Sequence, residues 1–380
     1  MKKCPFSEYC GGCQYLGMKY DKQVEIKQEK VEKLLSSFHH VEKIIPCKES
    51  LNYRNKIQIS FGYDEDHHII SGYYIPNSHL ILPIEECMLC DDKINQIVSS
   101  VKKIIIRNRI SIYDERTKKG CLRHLLIRST NTNEYMIVLV TGSFNLMKKE
   151  RLVEEILRYN PDVTTIIHNI NQEKSSSILG NRNQILYGKG YITDELCGLK
   201  FRISANSFYQ VNRYQTEVLY NTAIQSLDLK KDDILIDAYC GTGTIGLSCA
   251  EYVKKVIGVE LVPSAVKDAE TNRKINQIEN AEFICKDAGK FMESLSRNKT
   301  HIDAVIMDPP RSGSDIRFMS SMVKMKPDKI AYISCNPVTL ERDLKYLMKY
   351  YNIRLIQPVD MFPFTQHIET VCILNQKNKI

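Results

Sequence analysis

The sequence predicts an α/β protein that ends in a doubly wound parallel sheet, preceded by a mostly antiparallel β region. From residue 206 onward, apolar runs alternate with helix-length segments, which is the pattern of parallel strands joined by crossover helices. Between residues 51 and 205, short alternating or β-branched runs follow one another with few helical patterns between them, as in antiparallel sheets.

The first 50 residues divide into two segments. Residues 1–20 are rich in Cys, Gly and Tyr and are too short to bury a core, so a metal or cluster is the natural candidate to hold them. Residues 21–50 begin with an amphipathic helical pattern from Asp21 to Phe38, which is expected to pack on the carboxyl-terminal domain.

The two larger regions are expected to form separate domains. The central one, residues 51–205, should contain one helix over 92–106, and the last one, residues 206–380, should form a seven-stranded sheet whose final two strands pair antiparallel at its edge. Strands are predicted over Lys56–Phe61, His68–Ile75, Leu122–Ile127, Tyr135–Thr141, Thr164–His168, 233–238, 255–259, 281–285, 302–307, 328–333, 353–359 and 369–374.

The composition is that of an ordinary folded protein, with 43% apolar and 26% charged residues, and it argues against disorder. A formal charge of +8 suits an anionic partner such as RNA but is also common in enzymes that bind none. The first residues contain no apolar signal region, and no stretch is apolar enough to cross a bilayer, so a cytoplasmic location is expected.

Thirteen cysteines without a secretory signal argue for thiols used as ligands, nucleophile or buried hydrophobes rather than as a disulfide framework. Cys4, Cys10 and Cys13 form a C-x5-C-G-G-C hook, and Cys87 or Cys90 is available as a fourth ligand. Four thiolates suit a [4Fe-4S] cluster or a structural zinc, and three close cysteines with one remote ligand favour the cluster over zinc or unliganded thiols.

A glycine turn follows the first strand of the last domain, with Gly241-x-Gly243-x-x-Gly246 in the spacing of a dinucleotide-binding loop. Glu260 ends the next strand, where its carboxylate can accept hydrogen bonds from ribose hydroxyls. These features fit NAD, S-adenosylmethionine or a purely structural turn. Asp308 favours S-adenosylmethionine, because it begins an Asp-Pro-Pro turn that is typical of methyltransferases.

Further along the same domain, Asp287 follows the third strand and is a candidate to bind the adenine amino group. Cys335 ends the fifth strand, on the side of an open α/β sheet where ligands bind. A thiolate there can add to carbon 6 of uracil and make carbon 5 nucleophilic. Glu369 is a candidate acceptor for the carbon 5 proton, with His367 as the alternative. If this chemistry does not occur, Cys335 is simply a buried cysteine and Glu369 an exposed charge on an edge strand.

Taken together, these motifs resemble the RNA uracil-5-methyltransferase family, the TrmA/RlmC/RlmD group, through nearly the whole chain. The resemblance implies a Rossmann-like class I methyltransferase domain, an S-adenosylmethionine cofactor and an iron-sulfur cluster. The shared elements are the cysteine hook, Tyr53-Arg54-Asn55-Lys56, Leu122-Arg123-His124-Leu125, Ser207-Phe208-Tyr209-Gln210-Val211-Asn212, D-A-Y-C-G-T-G, D-P-P-R, S-C-N-P and H-x-E-T. The implied roles are cofactor binding for Gln210, Tyr239, Glu260 and Asp308, with Thr244 and Asp287 as lesser candidates, nucleophile for Cys335, proton acceptor for Glu369, and [4Fe-4S] ligation for Cys4, Cys10, Cys13 and Cys87.

The resemblance also implies an RNA substrate. The amino-terminal cysteines favour 23S ribosomal RNA over a transfer-RNA T-loop uridine, and an RNA 5-methylcytosine enzyme is a more distant alternative. Ribosomal members often begin with a TRAM domain, which is expected to be missing because Cys4 is almost the first residue. Phosphate contacts would then fall on basic residues of the β region such as Arg54, Lys56, Arg123 and Arg128, with the target uridine flipped or unpaired.

Overall fold

The computed structural model describes residues 4–173 and 177–377. No helix in these two ranges combines the length and the apolar character that crossing a bilayer requires. The helices are α1 (Tyr20–Leu35), α2 (Asp92–Arg107), α3 (Lys149–Tyr159), α4 (Arg213–Leu227), α5 (Thr244–Cys249), α6 (Pro263–Ile275), α7 (Ala288–Arg297), α8 (Ile316–Met325) and α9 (Pro337–Leu347). The strands are β1 (Lys56–Tyr63), β2 (Ile69–Tyr74), β3 (Ile81–Pro83), β4 (Leu122–Ser129), β5 (Tyr135–Thr141), β6 (Val163–Ile170), β7 (Arg182–Gly188), β8 (Ile192–Leu196), β9 (Leu199–Ile203), β10 (Ile234–Ala238), β11 (Lys255–Glu260), β12 (Ala281–Cys285), β13 (Ala304–Met307), β14 (Lys329–Ser334), β15 (Tyr351–Val359) and β16 (Glu369–Gln376).

The chain folds into two compact units, each with its own sheet and hydrophobic core. Unit 1 contains the chain up to Gly17 together with Glu49–Glu195 and Arg202–Asn206. Unit 2 contains Met18–Lys48, Leu196–Phe201 and the chain from Ser207 onward. Helix α1 therefore shares a unit with the carboxyl-terminal sheet.

Unit 1 is built on a seven-stranded sheet in the order β3-β2-β1-β4-β5-β6-β7. Its neighbouring strands are antiparallel, as predicted, except that β5 and β6 are parallel. Parallel neighbours need a crossover, and α3 supplies it. Helix α3 was not predicted from the sequence, because its buried stripe consists mainly of Leu152 and Ile156 among charged residues. Central strands β4 and β5 are buried along their whole length.

Unit 2 contains the predicted seven-stranded sheet, in the order β12-β11-β10-β13-β14-β16-β15. The first five of these strands are parallel, while β16 runs antiparallel to both β14 and β15, which confirms the predicted antiparallel pair at the sheet edge. The chain order changes direction at β10, whose two neighbours are β11 and β13. Ligands of open α/β sheets bind at such a point, beyond the carboxyl ends of the strands.

Candidate active site

A cavity of about 490 Å³ lies at the carboxyl ends of β10, β13 and β14 in unit 2. A larger groove of about 690 Å³ in unit 1 is lined largely by polar side chains of α2 and contains none of the predicted site residues. The cavity in unit 2 is therefore the candidate active site. The predicted residues that line it are Gln210, Tyr239, Thr244, Glu260, Asp308, Cys335, His367 and Glu369.

The floor of this cavity is the glycine turn between β10 and α5. Gly241 and Gly243 have φ angles of 55° and 79°, in the left-handed region that favours glycine, and Tyr239 shares it at 64°. The Gly246 amide donates a 2.8 Å hydrogen bond to Asp237 Oδ2, and a Cβ atom at this position would lie 2.7 Å from the same oxygen. The glycines thus allow α5 to start directly against the end of β10.

Glu260 lies beside this turn because β11 pairs in parallel with β10, with Val259 opposite Ala238. Its Oε2 atom accepts a hydrogen bond of 3.1 Å from the Gly241 amide, and its Oε1 atom accepts one of 2.8 Å from the Val262 amide. Two backbone donors therefore fix the carboxylate at the rim of the glycine turn, where it can accept hydrogen bonds from the two hydroxyls of a ribose.

We expect the Glu260→Gln variant to bind S-adenosylmethionine about 10- to 100-fold more weakly, since hydrogen bonds to a charged acceptor contribute roughly 1.5–3 kcal/mol. Isothermal titration calorimetry measures this directly. Glu282→Gln is the matched control, because Glu282 lies on neighbouring strand β12 and pairs with Lys255 at the surface. Equal affinities for the two variants would remove Glu260 from the cofactor site.

Buried carboxyl groups give the cavity its electrostatic character. Burial raises the pKa of Asp237 to about 7 and that of Asp308 to about 7. Burial also raises the pKa of Glu369 well above its usual range, and the charge of Asp308 raises it further. A cation in this cavity would favour the ionised forms, because an opposite charge offsets the cost of burial. The sulfonium group of S-adenosylmethionine is such a cation.

Cys335 and Glu369 both line the cavity, near neighbouring ends of β14 and β16. Strands β14 and β16 pair antiparallel, with Ser334 opposite Thr370. Next to this pair lie Cys335, directly after β14, and Glu369, the first residue of β16. Cys335 is half-buried and immediately precedes Asn336, whose side chain caps α9 by accepting a hydrogen bond from the Val338 amide. The helix terminus favours negative charge near the thiol.

The Cys335 thiol nevertheless has a pKa raised to about 11, first by burial and then by the charges of Glu369 and Asp308. The guanidinium of Arg311 lowers the pKa values of both Cys335 and Glu369. Arg311 Nη2 lies 3.3 Å from His367 Nε2, and the Arg311 carbonyl accepts a hydrogen bond from Asn336. Arg311 was not predicted as a site residue, although it directly follows Asp-Pro-Pro in the sequence.

These shifts predict that the methylation rate rises with pH. The thiolate form of Cys335 is depleted below its raised pKa of about 11, so the rate should increase about tenfold per pH unit from about pH 7 to about pH 9, and more steeply wherever Glu369 is also still protonated. Arg311→Met should displace the profile to higher pH, whereas Arg311→Lys, which retains the charge, should displace it less. Single-turnover rates across this range test the prediction, and a pH-independent rate would contradict it.

Asp287 does not line the cavity. Its carboxylate caps α7 by accepting a 2.9 Å hydrogen bond from the Lys290 amide. Asp287 lies within electrostatic reach of Tyr239 in the glycine turn. Burial raises the pKa of Tyr239 to about 12, and the charges of Asp315 and Asp287 contribute to this shift. Phe208 and Tyr220 also line the cavity but were not predicted as site residues; Phe208 is 64% exposed.

The four predicted cluster cysteines lie in unit 1 and are all partly exposed. Burial raises the pKa values of Cys10 and Cys13, and the charges of Cys4 and Cys87 raise both further, so the four thiols lie within electrostatic reach of one another. They do not converge as metal ligands do: within residues 4–173 and 177–377, no group of three or more His, Cys, Asp or Glu side chains is placed to hold a metal ion. The predicted [4Fe-4S] site is therefore not formed in this structure.

The expectation that Arg123 and Arg128 contact RNA phosphates is wrong for this structure, because both side chains are buried. Arg123 donates a 2.7 Å hydrogen bond to the Asn171 carbonyl and pairs with Glu115. Lys56 is also largely enclosed, and burial lowers its pKa to about 8. Arg123 and Arg128 thus bind backbone carbonyls in the interior of unit 1 rather than a ligand at its surface.

Comparisons with known proteins agree on one family. The model of the family described as tRNA (Uracil-5-)-methyltransferase matches residues 19–377. A Staphylococcus aureus protein named as an uncharacterized RNA methyltransferase is 41% identical over 380 residues, covering 98% of this chain and 84% of the relative. A similarly named Halalkalibacterium halodurans protein is 40% identical, covering 99% and 83%.

A solved structure is also similar over most of the chain. It is Pyrococcus abyssi tRNA (uracil-54, C5)-methyltransferase in complex with S-adenosyl-L-homocysteine, with a TM-score of 0.80 and 29% sequence identity. The match covers 96% of this chain and 86% of that one. The similarity therefore extends through both the β domain and the methyltransferase sheet.

Proposed function

We propose that this chain, which belongs to the tRNA (uracil-5-)-methyltransferase family and is an S-adenosylmethionine-dependent RNA methyltransferase, methylates carbon 5 of one uridine in 23S ribosomal RNA through a covalent intermediate. The observation that carries this proposal is that Cys335, directly after β14, and Glu369, at the start of β16, both adjoin the last residue pair of these strands, Ser334 opposite Thr370, and line the same cavity as the glycine turn. Methylation of an exocyclic amine would need neither side chain.

In the proposed reaction, the Cys335 thiolate adds to carbon 6 of the uracil, and the electron pair of the 5,6 double bond moves onto carbon 5 and the adjacent carbonyl at carbon 4. S-adenosylmethionine, when bound, supplies an electrophilic methyl group to carbon 5. The Glu369 carboxylate then takes the proton from carbon 5. The released electron pair restores the double bond as the bond between sulfur and carbon 6 breaks, which returns the thiolate.

The choice of 23S ribosomal RNA rests on the cysteine hook at the amino terminus, and a transfer-RNA uridine is the second candidate. The observation that supports the second candidate is the Pyrococcus abyssi relative, which is named as a tRNA (uracil-54, C5)-methyltransferase. In either RNA, the target base must leave its stack, because stacking blocks access to carbons 5 and 6.

The test is to incubate the purified protein with S-adenosylmethionine and unmodified 23S ribosomal RNA or transfer RNA, followed by nucleoside mass spectrometry. The expected product is 5-methyluridine at one position of the ribosomal RNA. If 5-methyluridine forms only in transfer RNA, transfer RNA is the substrate and the proposed chemistry still stands. Methylcytidine, or a methyl group on an exocyclic nitrogen, would overturn the roles of Cys335 and Glu369.

We further infer that Cys4, Cys10, Cys13 and Cys87 hold a [4Fe-4S] cluster after a local rearrangement. The inference is supported by their electrostatic proximity and by the Cys87 backbone, which Asn95 holds through hydrogen bonds of 3.0 and 3.1 Å. Cys90 is fully buried and is less suited to be the fourth ligand.

Anaerobic purification with iron and sulfide analysis tests this assignment. Cys87→Ser should lose most of the iron, whereas Cys90→Ser should retain it. If the protein contains zinc and no iron, the same cysteines hold a zinc ion in place of the cluster. If wild type and Cys87→Ser contain equal amounts of metal, Cys87 is excluded as a ligand.

RNA contacts are expected on the exposed edge strand β7 of unit 1. The Arg182 guanidinium lies 5.3 Å from the ring centre of Phe144, which is 54% exposed, and Tyr187 on the same strand is 42% exposed. In the described part of the chain, Arg182 forms no ion pair, so its charge is available to a phosphate. Exposed aromatic rings beside a cation are the usual platform for stacking unpaired bases.

We predict that Phe144→Ala with Arg182→Ala weakens RNA binding by roughly 10- to 100-fold, as expected for the loss of one stacked base and one phosphate contact. Fluorescence anisotropy at several salt concentrations measures the effect, and the salt slope should fall by about 1. Tyr159→Ala with Arg107→Ala is the matched control, because that ring and guanidinium lie 5.5 Å apart but Glu155 neutralises the charge. Equal losses for the two double variants would exclude β7 as the RNA surface.

A further inference from the structure

Helix α1 has an unusual buried face. Its fully buried residues are Gln23, Lys27, Val31 and Leu35, which follow one another at intervals of four and therefore lie on one side of the helix. Val31 and Leu35 belong to the hydrophobic core of unit 2. Gln23 and Lys27 instead bring an amide and an ammonium group into the interior, where each is costly unless it is paired.

The partner of Lys27 is Asp360, the residue directly after β15. Lys27 Nζ donates a 2.6 Å hydrogen bond to Asp360 Oδ1, and both side chains are 0% exposed. The Tyr20 hydroxyl donates a 2.8 Å hydrogen bond to Asp360 Oδ2 and accepts one of 2.7 Å from the Cys47 amide. Both carboxylate oxygens of Asp360 are thus engaged by side chains of α1.

The same helix face also binds the backbone of the segment that follows Asp360. Lys27 Nζ donates to the Phe362 carbonyl at 3.0 Å, and Gln23 Oε1 accepts a 2.8 Å hydrogen bond from the Phe364 amide. Phe364 is held at a φ angle of 65°, in the left-handed region that a phenylalanine rarely adopts. Lys30 reaches the Gln366 carbonyl at 3.5 Å. Residues 360–366 are thus attached to α1 along most of their length.

This segment is the connection between β15 and β16, and it leads directly into the cavity. Phe362 and His367 line the cavity, and Glu369 begins β16 two residues after His367. Any shift of residues 360–366 would therefore displace the proposed proton acceptor relative to Cys335. A displacement of about 1 Å in a catalytic group is enough to lower a rate substantially.

Stability alone does not account for the arrangement, because a buried ion pair is generally no more stabilising than well-packed apolar side chains of similar volume. A phenylalanine at positive φ likewise persists only where surrounding contacts impose it. Costly features of this kind are expected where geometry matters more than stability.

We propose that Lys27, Gln23 and Tyr20 of α1 are positioning residues, which hold residues 360–366 so that Glu369 faces the reacting base. The proposal rests on the proposed function, in which Glu369 accepts the carbon 5 proton. Lys27 and its neighbours do not touch the substrate; they act through the shape of the connection between β15 and β16.

Two variants test the proposal without leaving an unpaired charge in the interior. Lys27→Met with Asp360→Leu replaces the ion pair by apolar side chains, and Gln23→Met removes the hydrogen bonds of Gln23 with the Phe364 amide and the Met18 carbonyl. Lys22→Ala is the matched control, because Lys22 lies on the same helix with a side chain that is 57% exposed. The readouts are the melting temperature, the affinity for S-adenosylmethionine, the turnover number, and the fraction of enzyme trapped as a covalent adduct with RNA.

Below their melting temperatures, both test variants should turn over about tenfold more slowly or worse and accumulate covalent adduct, while cofactor affinity changes less than about twofold. A lower melting temperature with wild-type turnover and no adduct would show a purely structural role and overturn the proposal. If the double variant does not fold, Gln23→Met alone decides in the same way.

Glu369→Gln in the same assay separates this proposal from the one on which it rests. If Glu369→Gln accumulates adduct but the α1 variants do not, the positioning role fails and the role of Glu369 stands. If Glu369→Gln turns over normally, the role of Glu369 fails, and with it the positioning role.

Discussion

Methylation should be lost when Cys335 is replaced by alanine, with the rate falling by roughly 10⁴-fold or more. Carbon 5 of uracil does not attack a methyl donor until a nucleophile adds to carbon 6. Two cysteines line the cavity, Cys335 and Cys240. Cys240 is buried in the glycine turn, and burial raises its pKa well above the usual range, whereas Cys335 is half-buried, so the proposed nucleophile is Cys335. Transfer of a radiolabelled methyl group to RNA measures the loss. Affinity for S-adenosylmethionine should change little, since Glu260 and the glycine turn remain.

Cys197→Ala is the matched control. Cys197 is also half-buried in unit 2, and burial raises its pKa to about 11, as for Cys335, but it lies outside the cavity. This variant should methylate RNA at the wild-type rate. Substantial turnover by Cys335→Ala would exclude the covalent mechanism.

Replacing Glu369 by glutamine should stop the reaction one step later. The thiol can still add and the methyl group can still be transferred, but the carbon 5 proton then lacks its acceptor, so the covalent protein–RNA adduct should accumulate. Turnover should fall by roughly 10²- to 10⁴-fold, which is the usual contribution of a positioned base. Denaturing gel electrophoresis with labelled RNA detects the adduct.

His367→Gln is the comparison that identifies the base. His367 lines the same cavity, its Nε2 atom lies 3.3 Å from Arg311 Nη2, and it is the alternative proton acceptor predicted from the sequence. If His367→Gln accumulates adduct and Glu369→Gln does not, the two roles are reversed. We expect His367→Gln to retain turnover without accumulating adduct.

The sheet of unit 2 was predictable from the sequence because each strand is a compact apolar run followed by a helix-length segment. The edge strand β7 was not, because most of its side chains are exposed and it lacks an alternating apolar pattern. The same exposure makes β7 the proposed RNA surface. Strand prediction from apolar runs therefore missed the part of the sheet that is suited to binding.

Motif spacing placed most of the predicted cofactor and catalytic residues in one cavity, but it could not give their environment. The raised pKa values of Cys335 and Glu369 depend on burial, and the ion pair of Lys27 with Asp360 joins residues 333 positions apart. The same reasoning wrongly placed Arg123 and Arg128 at the surface, because a basic residue in a strand gives no sign that backbone carbonyls will bind it in the interior.

The most direct test of the covalent mechanism uses an RNA that contains 5-fluorouridine at the target position. After methyl transfer, carbon 5 of this base has fluorine in place of the proton that Glu369 would remove, so the adduct cannot be released. Peptide mass spectrometry of the wild-type complex should find the RNA attached to Cys335, and only when S-adenosylmethionine is present. Attachment to another residue, or turnover without any adduct, would contradict the mechanism.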